Sequence, residues 1–95
     1  MSRLTSEQIK MARAALDWSI DVLAEKTDVS SRTIKRIEAQ VGIPVATEAN
    51  LRLIRETLQA AGIEFIGDAD DGPGVRLWSK SNQSRRIVNR KLHAV

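Results

Sequence analysis

The stretch WSIDVLAEKTDVSSRTIKRIE, Trp18 to Glu38, decides the fold of this 95-residue chain. Leu23 and Ala24, then Thr27, Val29, Ile34 and Ile37, fall at the inward positions of one helix, a turn and a second helix when read at the 3.6-residue period. The remaining residues point outward. Ala24 has the smallest methyl-bearing side chain, so two helix axes meeting steeply can approach there, where a Leu would hold them apart. Ser19 is placed to cap the first helix, with Asp21 near its positive end. Ser30 is placed to cap the second after a Thr27-Asp28-Val29 bend.

The string Trp18-Ser19, Leu23-Ala24-Glu25, Val29-Ser30 and Thr33-Ile34, followed by Arg36-Ile37-Glu38, resembles the Cro and phage-repressor-like helix-turn-helix family, the xenobiotic response element type of transcriptional regulators. The resemblance runs from about Thr5 to Gly62 and is narrower than a generic pair of amphipathic helices. Two positions depart from the pattern. Ile20 stands where the family usually has a Gln that contacts a phosphate and braces the second motif helix. Asp28 stands where the bend usually has Gly, and Asp tolerates the left-handed region better than most residues. The resemblance implies a mainly α, lambda-repressor-like four-helix domain that lays its second motif helix in the major groove of double-stranded DNA. Carried over position by position, it puts base reading at Ser31, Arg32 and Arg36, and backbone or secondary contacts at Thr33 and Lys35. Geometry agrees: with Ile34 and Ile37 turned inward, Ser31, Arg32, Lys35 and Arg36 are on or near the exposed side. The planar fork of Arg matches O6 and N7 of guanine together, so G-containing half-sites are expected. Ser19 and Ser30 can combine capping with donation to phosphate at the helix starts.

Ahead of the motif, Leu4 to Asp17 reads as the first helix. Thr5 and Gln8 have capping-box spacing, Leu4 can staple onto Ile9, and Ile9, Ala12 and Leu16 form the inner stripe. Trp18 reads as a core plug between helices rather than a base-stacking platform, because it occupies the family's buried apolar position. After the motif, AQVGIPVAT is a loop with Gly42 and Pro44 as breakers and Thr47 as the next cap. Leu51, Ile54, Leu58 and Ala61 share one face of a fourth helix that Gly62 ends. Ile63 to Ile66 and Val75 to Trp78 alternate as strands around the turn-forming GDADDGPG, which predicts a C-terminal β-hairpin. An isolated hairpin is marginal in water, so it should pack on the fourth helix or pair its edge with a second subunit. Edge pairing would make a homodimer with reading helices about 34 Å apart on a palindrome. The alternative is a hairpin used within one subunit. The expected organisation is residues 1–62 as the DNA-binding domain, 63–79 as a hairpin extension with a possible dimer contact, and 80–95 as a basic tail.

Composition fits one domain with a modest core and leaves no length for a separate ligand-sensing domain. The absence of cysteine removes disulfides and thiolate ligands and suits a reducing cytoplasm. The lack of a long apolar run predicts a soluble protein with no membrane partner. Charge is divided unevenly: residues 1–71 hold nine Lys/Arg and twelve Asp/Glu, a net −3, whereas residues 72–95 hold six Lys/Arg and no acid, a net +6. The loop residues Gln40, Val41, Gly42 and Ile43 offer little charge to phosphates, which shifts weight onto Arg85, Arg86, Arg90 and Lys91 in the tail. A tail that serves only solubility is the other reading. The single histidine, His93, and the missing cysteines argue against an enzyme. Asp68, Asp70 and Asp71 before Gly72 lack the remaining spacing of a calcium loop, so no metal or cofactor is expected. RNA binding lacks an aromatic platform, since the aromatic residues are Trp18, Phe65 and Trp78.

The reading is therefore a sequence-specific transcriptional regulator, a repressor by default because it can occlude a promoter by sitting on it. The alternative is an antitoxin or antiactivator of the same fold whose main role is to bind a partner protein. Deleting residues 80–95 should flatten the slope of log affinity against log salt by about three, at roughly 0.9 per lost phosphate contact. An unchanged slope would make the tail a bystander.

Overall fold

The computed structural model describes residues 3–78. Helices α1 (Ser6–Leu16), α2 (Ile20–Thr27), α3 (Ser31–Glu38) and α4 (Glu48–Ala60) precede an antiparallel hairpin of β1 (Ile63–Asp68) and β2 (Asp71–Leu77). Each helix begins on a hydroxyl: Thr5, Ser19, Ser30 and Thr47 accept the backbone N–H groups of Gln8, Val22, Thr33 and Asn50 at 3.0, 3.1, 3.1 and 3.2 Å. An Ala at any one of these positions would cost about 1 kcal/mol. Helix α1 is shorter than the expected Leu4 to Asp17. The capping box of Thr5 and Gln8 sets its start, and Asp17, left-handed at φ 58°, sets its end.

One core holds the helices together. Leu4, Ile9, Ala12, Leu23, Val29, Ile34, Ile37, Ile54, Leu58 and Ile63 are all buried in a single cluster, with Leu16, Trp18, Ala24 and Leu51 packed at its edge. Each fully buried Ile or Leu contributes about 1.5–3 kcal/mol, so the apolar spacing read from the sequence also names the main stabilising contacts. Leu4 lies outside the helix yet joins Ile9 in the core, as a hydrophobic staple requires.

The hairpin differs from its expected form. GDADDGPG is not an open loop: the strands continue through most of it, Asp68 pairs with Asp71, and only Ala69 and Asp70 lie between the strands. The Asp68 carboxylate accepts the Asp70 N–H at 3.0 Å and closes this tight turn, while Gly67 (φ 71°) absorbs a register shift between Ile66 and Asp68. Trp78 falls just past β2, but its backbone N–H still donates to the Gly62 carbonyl. Ile63, Phe65, Val75 and Leu77 alternate onto the core side, and Glu64 and Arg76 face solvent. The hairpin packs on the same chain, β1 against α4 and β2 more extensively against α1. Among the described residues, the first helix thus supports the hairpin more than the fourth does.

Gly67 is needed at its position, because a Cβ there would lie 2.4 Å from the Gly72 carbonyl oxygen in addition to its left-handed backbone. Gly67→Ala should destabilise the protein by about 2 kcal/mol or more in urea unfolding. Gly42 also has a positive φ, but a Cβ there meets nothing within 4 Å, so Gly42→Ala should cost less.

Candidate nucleic-acid interface

The α2–α3 corner is built from short-range chemistry. Asp28 takes φ 62° and ends α2, doing without glycine what the bend requires. The buried Thr27 hydroxyl donates to the Leu23 carbonyl at 2.7 Å and accepts the Val29 N–H at 3.2 Å, bridging the last turn of α2 to the residue after the bend. Ala24 is half-buried at the crossing and Ile34 and Ile37 are fully enclosed, so rotation of α3 about its axis would expose them.

Helix α3 is held at both ends. At its start, the Ser31 hydroxyl donates to the Asp21 carboxylate on the first turn of α2 at 2.7 Å. At its end, the Arg13 Nε and Nη2 atoms grip the two Glu38 carboxylate oxygens at 2.9 and 2.8 Å, and Arg13 Nη1 reaches the Trp18 carbonyl at 3.0 Å. The Glu38 side chain is only 6% exposed, so a charge near the core is matched by a two-pronged partner. The hydrogen bonding to Glu38 raises the Arg13 pKa, burial works against that rise, and the charge of Glu38 adds to it. The guanidinium therefore stays charged at every physiological pH. Ser6 Oγ also donates to the Ile37 carbonyl at 2.7 Å, a second donor on an acceptor that the Gln40 N–H reaches at 3.3 Å.

On the outward face, Arg32, Lys35 and Arg36 are exposed, and Arg32 and Arg36 are one turn apart. Among the described residues, no hydrogen bond or ion pair engages these three side chains. Glu38, the one acid on α3, is already paired with Arg13, so the outer face of α3 is uniformly cationic. Ser31, expected on or near the exposed side, is half-buried on the flank toward α2, with its hydroxyl committed to Asp21. Thr33 is half-buried and its hydroxyl accepts from Ser30 at 2.9 Å, so Ser30 serves both the backbone and the side chain of Thr33. Ser19 caps α2 from an exposed position. Arg85, Arg86, Arg90 and Lys91 lie outside the described residues, as does His93.

Trp18 is half-buried against the core, and the Lys26 ammonium lies 5.1 Å from its ring centroid. In the loop after α3, the Gln40 side chain accepts the Val45 N–H at 2.7 Å and donates to the Val45 carbonyl at 3.3 Å. This clasp leaves Val41 and Val45 on the surface at 88% and 84% exposure. Arg36, Gln40, Val45, Ala46 and Thr47 line an open groove between α3 and α4. Among the described residues, no group of three His, Cys, Asp or Glu side chains could hold a metal ion, and no helix is long and apolar enough to cross a membrane. The Arg13–Glu38 and Ser31–Asp21 pairs went unread in the sequence. Glu38 at the end of the motif string was the only signal, and nothing marked Arg13 as its partner. Neither protein-family models nor curated proteins match this chain.

Arg13→Ala should destabilise the protein by about 2–4 kcal/mol in urea unfolding, because it strands the Glu38 carboxylate beside the core. Replacing both partners, Arg13→Met with Glu38→Leu, should recover most of that loss.

Proposed function

We propose that this protein is a sequence-specific DNA-binding transcriptional regulator with a lambda-repressor-like helix-turn-helix domain, and that α3 enters the major groove. The observation that carries this reading is the set of three unengaged cations, Arg32, Lys35 and Arg36, on the solvent face of a helix whose other face and both ends are fixed. A helix that presents guanidinium groups from a rigid seat loses little entropy on docking and keeps its register on base edges. Arg32 and Arg36 are the base readers, Lys35 is a phosphate contact, and the tail arginines and lysine add backbone contacts. Because the Ser31 hydroxyl is engaged by Asp21, Ser31 acts on DNA through its position and backbone N–H rather than a free hydroxyl. Repression by occlusion needs no further contact, and the chemistry uses no cofactor, metal or catalytic group.

A homodimer suits this role. The bond from Trp78 N–H to the Gly62 carbonyl sets the hairpin's alternation, so Ile63 and Phe65 on β1 and Val75 and Leu77 on β2 turn backbone groups toward the strand edges. Two-fold pairing through one such edge would place two α3 helices on successive major-groove faces. A second reading, a partner-binding antitoxin or antiactivator of the same fold, has the exposed Val41 and Val45 in its favour. Co-purification with a stoichiometric small protein would support that second reading.

Selection of bound fragments from random duplexes should return an inverted repeat with G in each half-site. Arg32→Ala or Arg36→Ala should then cost about 1–3 kcal/mol at one base pair. Equal weakening on all sequences would reduce that arginine to a backbone anchor, and no enrichment of any duplex would end the proposal.

A further inference from the structure

Three successive residues in the first turn of α1 each reach a distant part of the chain. Ser6 donates through its N–H to the Gly42 carbonyl at 2.8 Å and through its hydroxyl to the Ile37 carbonyl at 2.7 Å. The Glu7 carboxylate accepts the Gly42 N–H at 3.1 and 3.3 Å. Gln8, 1% exposed, accepts the Thr5 N–H at 3.0 Å through Oε1, and its Nε2 donates to the carbonyls of Ile66 and Gly74 at 3.0 Å each. Ile66 and Gly74 are directly paired across the two strands, so one buried amide holds both halves of the hairpin. The last turn of α3, the loop that follows it and the hairpin are therefore fastened to a single helical turn.

We propose that Gln8 is a positioning residue that transmits the docking of the hairpin to α3 and its following loop, so that α3 holds its DNA-reading pose only while the hairpin is seated. This rests on the reading of α3 as a DNA-contacting helix. The side-chain chemistry explains why the residue is Gln. At this capping-box position Glu serves the helix equally well, because a carboxylate oxygen also accepts the N-cap N–H. Only the amide adds two donors for the strand carbonyls, and a carboxylate there would face two acceptors with no proton to share. Gln8→Glu therefore keeps the cap of α1 and releases the hairpin, separating two roles of one side chain. Loosening the hairpin from its own side, with Val75→Ala on its half-buried inner face, should reproduce the effect with Gln8 intact.

The test compares the full wild-type chain with Gln8→Glu and Val75→Ala by amide hydrogen exchange and by binding to a selected and a scrambled duplex. Exchange should accelerate by about tenfold or more at the hairpin amides and also at Gly42 and the last turn of α3, with Val22 in the first turn of α2 unchanged. Affinity for the selected duplex should fall about threefold to thirtyfold while affinity for the scrambled duplex holds, so discrimination narrows. Faster exchange confined to the hairpin, or discrimination that survives it, overturns the proposal. If Gln8→Glu does not fold, Val75→Ala decides by the same criteria. A wild-type chain that prefers no duplex ends the DNA reading, and exchange at Gly42 still decides whether hairpin and loop are coupled.

Discussion

The buried amide of Gln8 and the two residues before it are the constraint on which the rest of the structure depends. A two-stranded hairpin has too little surface to stand alone in water, and the last turn of a short helix leaves carbonyls without partners. The same turn of α1 bears on both, through Gln8 toward the strands and through Ser6, which joins the Gln40 N–H on the Ile37 carbonyl. The Gln8 side chain is itself buried, so losing its partners would leave an enclosed amide unsatisfied. Among the described side chains, no buried nitrogen or oxygen is left without a hydrogen bond.

This economy has an electrostatic counterpart. Helix α3 carries four charged residues, and the structure separates them by sign: Glu38 turns inward to a forked bond with Arg13, while Arg32, Lys35 and Arg36 stay in water. Pairing the acid with a residue from α1 both anchors the helix and neutralises the one negative charge that α3 carries. Asp21 plays a related part at the other end. Its position in the first turn of α2 favours that helix electrostatically, and its bond to Ser31 ties the two helices at the corner.

Much of this was legible in the residues. The apolar spacing from Ile9 to Leu58 named nearly the whole core, because a helix turns by a fixed angle per residue and burial follows that angle. The four hydroxyl caps and the left-handed Asp28 were readable for the same reason: they act within a few residues of themselves. The hairpin is legible too, but the length of its turn is not. Gly, Asp and Pro signal a break in the chain, yet Gly67 and Gly72 supply positive φ values that let the strands run on to a tight two-residue connection.

The sequence alone determined the helices, their capping hydroxyls, the inward face of each and the cationic outer face of α3, since all of these depend on local periodicity and on residues at most one turn apart. Only the tertiary structure decided that Arg13 meets Glu38, that Ser31 meets Asp21 and that the Gln8 amide closes on two strands 58 and 66 residues away. Such partners are chosen by where packed elements happen to place a donor and an acceptor within hydrogen-bond reach. A charge or an amide reads the same along the chain whether its partner is a neighbouring helix, a distant strand or water.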